Sequence, residues 1–169
     1  YAETYNREYL NKLLLGKNIM YSYMGRYFGA RQENIELYNR EGYLDFEKVA
    51  RSDFFIKGMK SVILGLNRGN NIVLMCTEKD PMDCHRAILV ARAFALNGVN
   101  VTHILSDGRL QTQKELDERV LNRYFPDRAQ LSIFNFNNIT NNEENLKMAY
   151  RERNKEIGYH LHNRQYAVI

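Results

Sequence analysis

Apolar positions along the chain alternate between a helical and a strand-like rhythm. Tyr9, Leu10, Leu13 and Leu14 recur at helical spacing between Arg7 and Leu15, and Gly16 follows as a stop, which predicts a short amphipathic helix. Residues 19–24 are β-branched and aromatic with no turn residue, so they read as a strand ending before Gly25. From Gly25 to Gly42 the chain is glycine-containing and polar with scattered tyrosines, the composition of a long surface loop. A helical turn is expected over Phe46 to Ala50. A full helix follows from Asp53 to Leu66, where Phe55, Met59, Val62, Ile63 and Leu66 recur at three and four. Ser52 or Asp53 is its N-cap, and Arg68, Gly69 and Asn70 end it.

The second half has a more regular alternation. The continuous apolar run from Ile72 to Met75 fits a strand buried on both faces of a parallel sheet. Residues 83–96 read as a helix capped by Asp83 and closed by Asn97 and Gly98, and Val99 to Leu105 reads as a second strand. Thr112 and Glu115 form a capping-box pattern ahead of Leu116, Val120, Leu121 and Tyr124, so another helix runs to about Pro126. An Asn-rich short strand or loop is expected over 130–142, and a last helix over 142–157. Strand, helix, strand, helix through 72–125 predicts an α/β fold with a mainly parallel sheet. Ligands of such sheets bind beyond the carboxyl ends of strands, here the loops after Cys76 and after Leu105.

Composition narrows this picture. With 169 residues, 44% hydrophobic and 26% charged, the chain has the proportions of one globular domain, residues 1–169. No apolar run approaches the roughly 18 to 20 residues of a membrane span. Two cysteines without a secretory pattern predict free thiols and a cytoplasmic location. Lys and Arg number 24 against 20 Asp and Glu, a balance of +4 that permits an anionic ligand without requiring one. The first residue is Tyr1, leading straight into a helical pattern, which reads as the loss of a preceding segment.

The loop after the predicted strand at 72–75 carries the candidate chemistry. Cys76, Glu78, Lys79, Asp80, Asp83, Cys84, His85 and Arg86 bring nucleophile, acid and base types into one short stretch. A thiol beside a helix N-terminus, Arg86 or protonated His85 has a stabilised thiolate. Cys76 or Cys84 is thus the candidate nucleophile, Glu78 or His85 the proton-transfer group, and Arg86 an anion clamp, with Arg31 closing from the long loop and Asp107 facing from the second loop. Each residue also has a packing role open to it: strand-end cysteines are commonly core, and Asp83 and Asp107 fit a cap and a turn. A phosphatase or sulfurtransferase loop spaces Cys and Arg by five residues, whereas nine separate Cys76 from Arg86. A zinc site would use Cys76, Cys84 and His85, but adjacent Cys84 and His85 diverge if both lie on a helix, so no metal is expected. Nothing in these residues identifies a cofactor. The partner expected is a small anionic ligand, in an enzyme, or alternatively a nucleotide or nucleic acid held by a noncatalytic module.

These residues resemble the family catalogued as Domain of Unknown Function 488. The resemblance rests on Met75 to Pro81 followed by Cys84, His85 and Arg86, then on His103 to Gly108. Tyr21 to Arg31 resembles the family's Leu-Gly-Gly or Leu-Gly-Ala-Arg loop, with Phe28 in place of Leu, and Ala149 to Tyr159 resembles the end of its longer members. The resemblance implies a three-layer, Rossmann-like α/β domain. It also implies a Thr-Ile-Gly-His-Ser strand and an Asp-Val-Arg strand ahead of Tyr1, so the expected domain lacks an N-terminal strand and helix.

Overall fold

In the computed structural model, which describes residues 6–126 and 139–161, most of the chain is helical. Helix α1 (Arg7–Leu15) is capped by the Asn6 side chain, which accepts from the Glu8 N–H. Short α2 (Gly25–Phe28) and a 3₁₀ turn (Ile35–Leu37) occupy the expected long loop. Helix α3 (Phe46–Arg51) starts at Asp45, whose carboxylate accepts two backbone N–H groups, and α4 (Asp53–Asn67) follows after Ser52. A 3₁₀ turn (Pro81–Asp83) leads into a π-helical segment (Arg86–Ala91) that continues without a break as α5 (Arg92–Leu96). Strands β1 (Thr102–Ile104) and β2 (Leu110–Thr112) precede α6 (Gln113–Tyr124), and α7 (Ile139–Ile157) runs along α6.

The mainly parallel, three-layer Rossmann-like sheet expected from the sequence does not form among the described residues. The sheet there has two strands, antiparallel, with His103 opposite Gln111. Residues 71–76 and 19–24 are irregular, with no ladder. A β-branched run states a preference for extended backbone, but a strand exists only where a neighbour takes its N–H and C=O groups. Segment 72–76 also alternates: Leu74 and Cys76 are half-buried, while Val73 and Met75 are 74% and 53% exposed, so it is not covered on both faces. Residues 102–104 pair locally instead, across a turn where Gly108 adopts φ +84° and the Asp107 carboxylate accepts the Arg109 N–H. The expected strand or loop at 130–142 lies largely outside the described residues.

The helices fare differently because their signals are local. Thr112 and Glu115 form the reciprocal capping box, and Leu116, Val120 and Leu121 are buried beneath it. The core centres on the 86–96 segment, where Ala87 to Ala91 are all buried and α3, α5 and α7 pack against the π-helical turns. Phe28 meets Phe55 and Phe94 edge-on at 5.2 and 6.1 Å, joining α2 to α4 and α5. Asn154, buried on α7, accepts from the Phe46 N–H at 2.9 Å and donates to the Leu44 carbonyl at 2.8 Å, which fixes the start of α3.

Gly58 sits mid-helix where α2 crosses α4, and a Cβ there would lie 2.5 Å from the Tyr27 Cβ. Alanine ordinarily stabilises a helix by up to about 1 kcal/mol relative to glycine, but overpacking of this kind costs about 1 to 3 kcal/mol. Gly58→Ala is expected to lower the urea midpoint, with a net loss of about 1 kcal/mol and an unchanged m value.

Candidate functional site

The loop between residue 76 and the π-helical segment is shaped by short-range bonds. Asp80 caps the 3₁₀ turn by accepting the Met82 N–H at 2.8 Å, and its other oxygen accepts from Arg119 of α6 at 2.7 Å. On the far side Arg153, a buried residue of α7, donates to the Met82 carbonyl at 2.8 Å and pairs with Asp83 and Glu156. Asp83 is therefore not the helix cap that its position suggests. Between these anchors the chain turns back so that Cys84 and His85 stand beside Cys76 and Glu78.

One ligand-type atom from each of Cys76, Glu78, Cys84 and His85 lies within 4.8 Å of all the others. Cys76 Sγ is 3.7 Å from His85 Nδ1, and the Cys84 thiol donates to Glu78 Oε2 at 3.2 Å. Cys84 is fully buried and Cys76 half-buried. Cys84 has an extended backbone (φ −114°, ψ 127°) whereas His85 is already helical (φ −57°, ψ −28°). The two adjacent side chains therefore straddle the helix start, so the divergence expected of neighbours on one helix does not apply, and the donor set suits a metal as well as a thiolate.

The surroundings separate the two thiols. Cys84, whose single thiol proton is shared between Cys76 and Glu78, is the largest influence on Cys76; with the hydrogen bond and charge of His85 it overcomes burial and lowers the thiol to about 5. Cys84 is pushed the other way, by its bond to Cys76, by burial and by Glu78, and stays protonated. Burial pushes the Glu78 carboxyl up, but the Cys84 thiol that donates to it and its own backbone, with the His85 charge, hold it below the usual range.

The remaining candidates lie elsewhere. The Arg31 guanidinium stacks 4.9 Å over the Tyr159 ring. Asp107 is paired with Arg109 at 2.7 Å in the exposed hairpin turn. Arg86 lines a groove of about 200 Å³ with Leu74 and His103, and its charge adds to burial in lowering the His103 pKa.

Residue type and spacing give no sign of a buried network beneath β1. His103 is 2.9 Å from Gln113, whose amide donates to the Tyr150 hydroxyl at 2.8 Å, while Tyr150 donates to Asp117. Arg92 lies 3.5 Å over the Tyr150 ring. Burial, then the Asp117 charge, raises the Tyr150 hydroxyl, which keeps its proton, and the network braces α6 against α7. Only the capping box beside Gln113 hints at it in the sequence.

A family model described as Domain of unknown function DUF488 matches residues 2–93, more than half of the chain. The chain belongs to the DUF488 family. The match includes all four clustered residues and Arg31, and stops before His103 and Asp107, so the wider resemblance in the last third stands on its residues alone. No curated protein and no solved structure matches this DUF488 chain. Among the described residues no helix is long and apolar enough to cross a membrane.

Proposed function

We propose that this DUF488 protein is a thiol-dependent enzyme in which Cys76 is the nucleophile. The observation that carries the reading is the placing of a half-buried Cys76 sulfur 3.7 Å from His85 Nδ1. A sulfur so placed is nucleophilic as the thiolate, and imidazole is the side chain that accepts and returns a proton near neutral pH. Cys84 and Glu78 act on Cys76 by hydrogen bonding rather than by attack, since Cys84 is fully buried and holds its proton. Glu78 disfavours a fully charged anion against the sulfur. The substrate class that fits is therefore an electrophile of low charge: the Cys76 sulfur bonds to it as the bond to its leaving group breaks, and His85 returns a proton to that group.

The noncatalytic nucleic-acid reading has less support. Arg51, Arg109, Arg119, Arg123, Arg151, Arg153 and Lys155 are each paired with a carboxylate. A phosphate backbone is bound through cations free to release counterions.

Mass-spectrometric mapping of brief iodoacetamide labelling at neutral pH distinguishes the thiols. Cys76 is expected to be modified well before Cys84, and Cys76→Ser to leave a nearly unlabelled protein. Labelling of Cys84 first, or of both at the same slow rate, removes the reading.

A further inference from the structure

The four clustered donors carry a second chemistry that rests on position alone. Zinc bonds of about 2.3 Å to sulfur and about 2.0 to 2.2 Å to nitrogen and carboxylate oxygen place the corners of a tetrahedron roughly 3.3 to 3.8 Å apart. Two of the six edges are close to that already: 3.7 Å from Cys76 Sγ to His85 Nδ1 and 3.2 Å from Cys84 Sγ to Glu78 Oε2. The rest are at most 4.8 Å, so closure needs shifts of about 1 Å or less.

The backbone supports such closure. Cys76 and Glu78 are two residues apart on non-helical chain, and Cys84 and His85 flank a helix start, so the donors arrive as two arms. The arms are anchored between them, by Asp80 to Arg119 and by Arg153 to the Met82 carbonyl. Two sulfurs favour a thiophilic ion over magnesium or calcium, and one imidazole with one carboxylate is an ordinary complement for zinc.

We propose that Cys76, Glu78, Cys84 and His85 together bind one zinc ion. This uses the cluster of the thiol reading without depending on it: with zinc bound, Cys76 is a ligand, and the ion holds the nucleophile in reserve. Each sulfur binds as the thiolate, whatever proton it carries passing to the solvent, and no oxidation is involved.

The test uses the 169-residue chain, reduced and stripped with a chelator, then titrated with cobalt and with zinc. One equivalent of cobalt is expected to give thiolate-to-metal charge-transfer absorption together with the visible bands of a four-coordinate site, and zinc to displace it. Cys76→Ser and His85→Ala are each expected to weaken zinc binding at least about tenfold, the lower end of the loss from removing even outer-sphere partners. Asp107→Asn should bind as the parent does. The cobalt spectrum of the parent reads thiolate ligation directly, so the test survives a variant that folds poorly. Absence of charge-transfer absorption, or zinc retention no greater than in a Cys76→Ser, Cys84→Ser double variant, overturns the proposal. Zinc uptake by a protein whose stripped form has an unreactive Cys76 keeps the metal site and removes the nucleophile. A reactive Cys76 without zinc uptake overturns the metal site and keeps the nucleophile.

Discussion

In chelator-treated protein, Cys76 is expected to exchange with a small uncharged disulfide about tenfold faster than a free cysteine at pH 6, and about tenfold slower at pH 8. The Cys84 proton shared with Glu78 and the pairing with His85 hold the thiol near a pKa of about 5. At pH 6 about nine-tenths of it is thiolate, against roughly 0.3% of a thiol with a pKa of ~8.5. The stabilised thiolate is less nucleophilic, by a factor of about 25 to 55 for this difference in acidity. The first effect wins at pH 6 and the second at pH 8, where a free thiol is itself about one-quarter ionised. Because the folded pKa is depressed, reactivity persists as pH falls and is lost only through about 5. Removing the imidazole in His85→Ala should move that inflection up by about one unit or more. Stopped-flow absorbance across pH 4 to 9 reads both; an inflection near ~8.5 in the parent would falsify the activated thiol.

Arg153→Ala is expected to lower stability by about 2 to 4 kcal/mol, from loss of a buried charge-assisted hydrogen bond and of stem packing. The effect is not confined to stability. Arg153 holds the Met82 carbonyl and Asp83, so it positions the strand of chain leading into Cys84 and His85. With that hold released, the low inflection of Cys76 should move toward the free value even at temperatures where the variant is fully folded. Urea denaturation gives the first quantity, and disulfide exchange on the folded variant the second. An undisturbed inflection in a destabilised variant assigns Arg153 to packing alone.

How much of this was legible in the sequence depended on whether the signal was local. The Thr112 and Glu115 box and the spacing of Phe55, Met59 and Val62 act within one or two turns, and the helices there were readable to within a residue or two. Residues 19–24 and 72–76 state only that the backbone favours extension. Whether it becomes a sheet depends on a distant partner, and 102–104 found its own six to ten residues away. At the site, Cys76, Glu78, Cys84 and His85 are near neighbours in sequence, so the loop needed only to fold back on itself. The expectation for Asp107 depends on a parallel sheet that does not form among the described residues, and that for Arg31 on closure of the long loop. The two side chains answer instead to nearby groups, Arg31 to Tyr159 and Asp107 to Arg109. The anchor from Arg153 is 71 residues from Met82, too far for any spacing rule.

The π-helical turns at Arg86–Ala91 act as a phase adjuster between a buried packing surface and the loop. Relative to an α-helix, a π-turn accommodates one additional residue, and one residue is worth about 100° of rotation. Removing a single residue from this stretch would let it relax into regular α-helix while Ala93 and Phe94 kept their seats. His85 would then swing by about that angle and leave the other three donors behind. Length in this segment is accordingly under tighter geometric control than side-chain identity: a conservative substitution among its buried aliphatic residues changes packing by degrees, whereas a one-residue deletion dismantles the cluster outright.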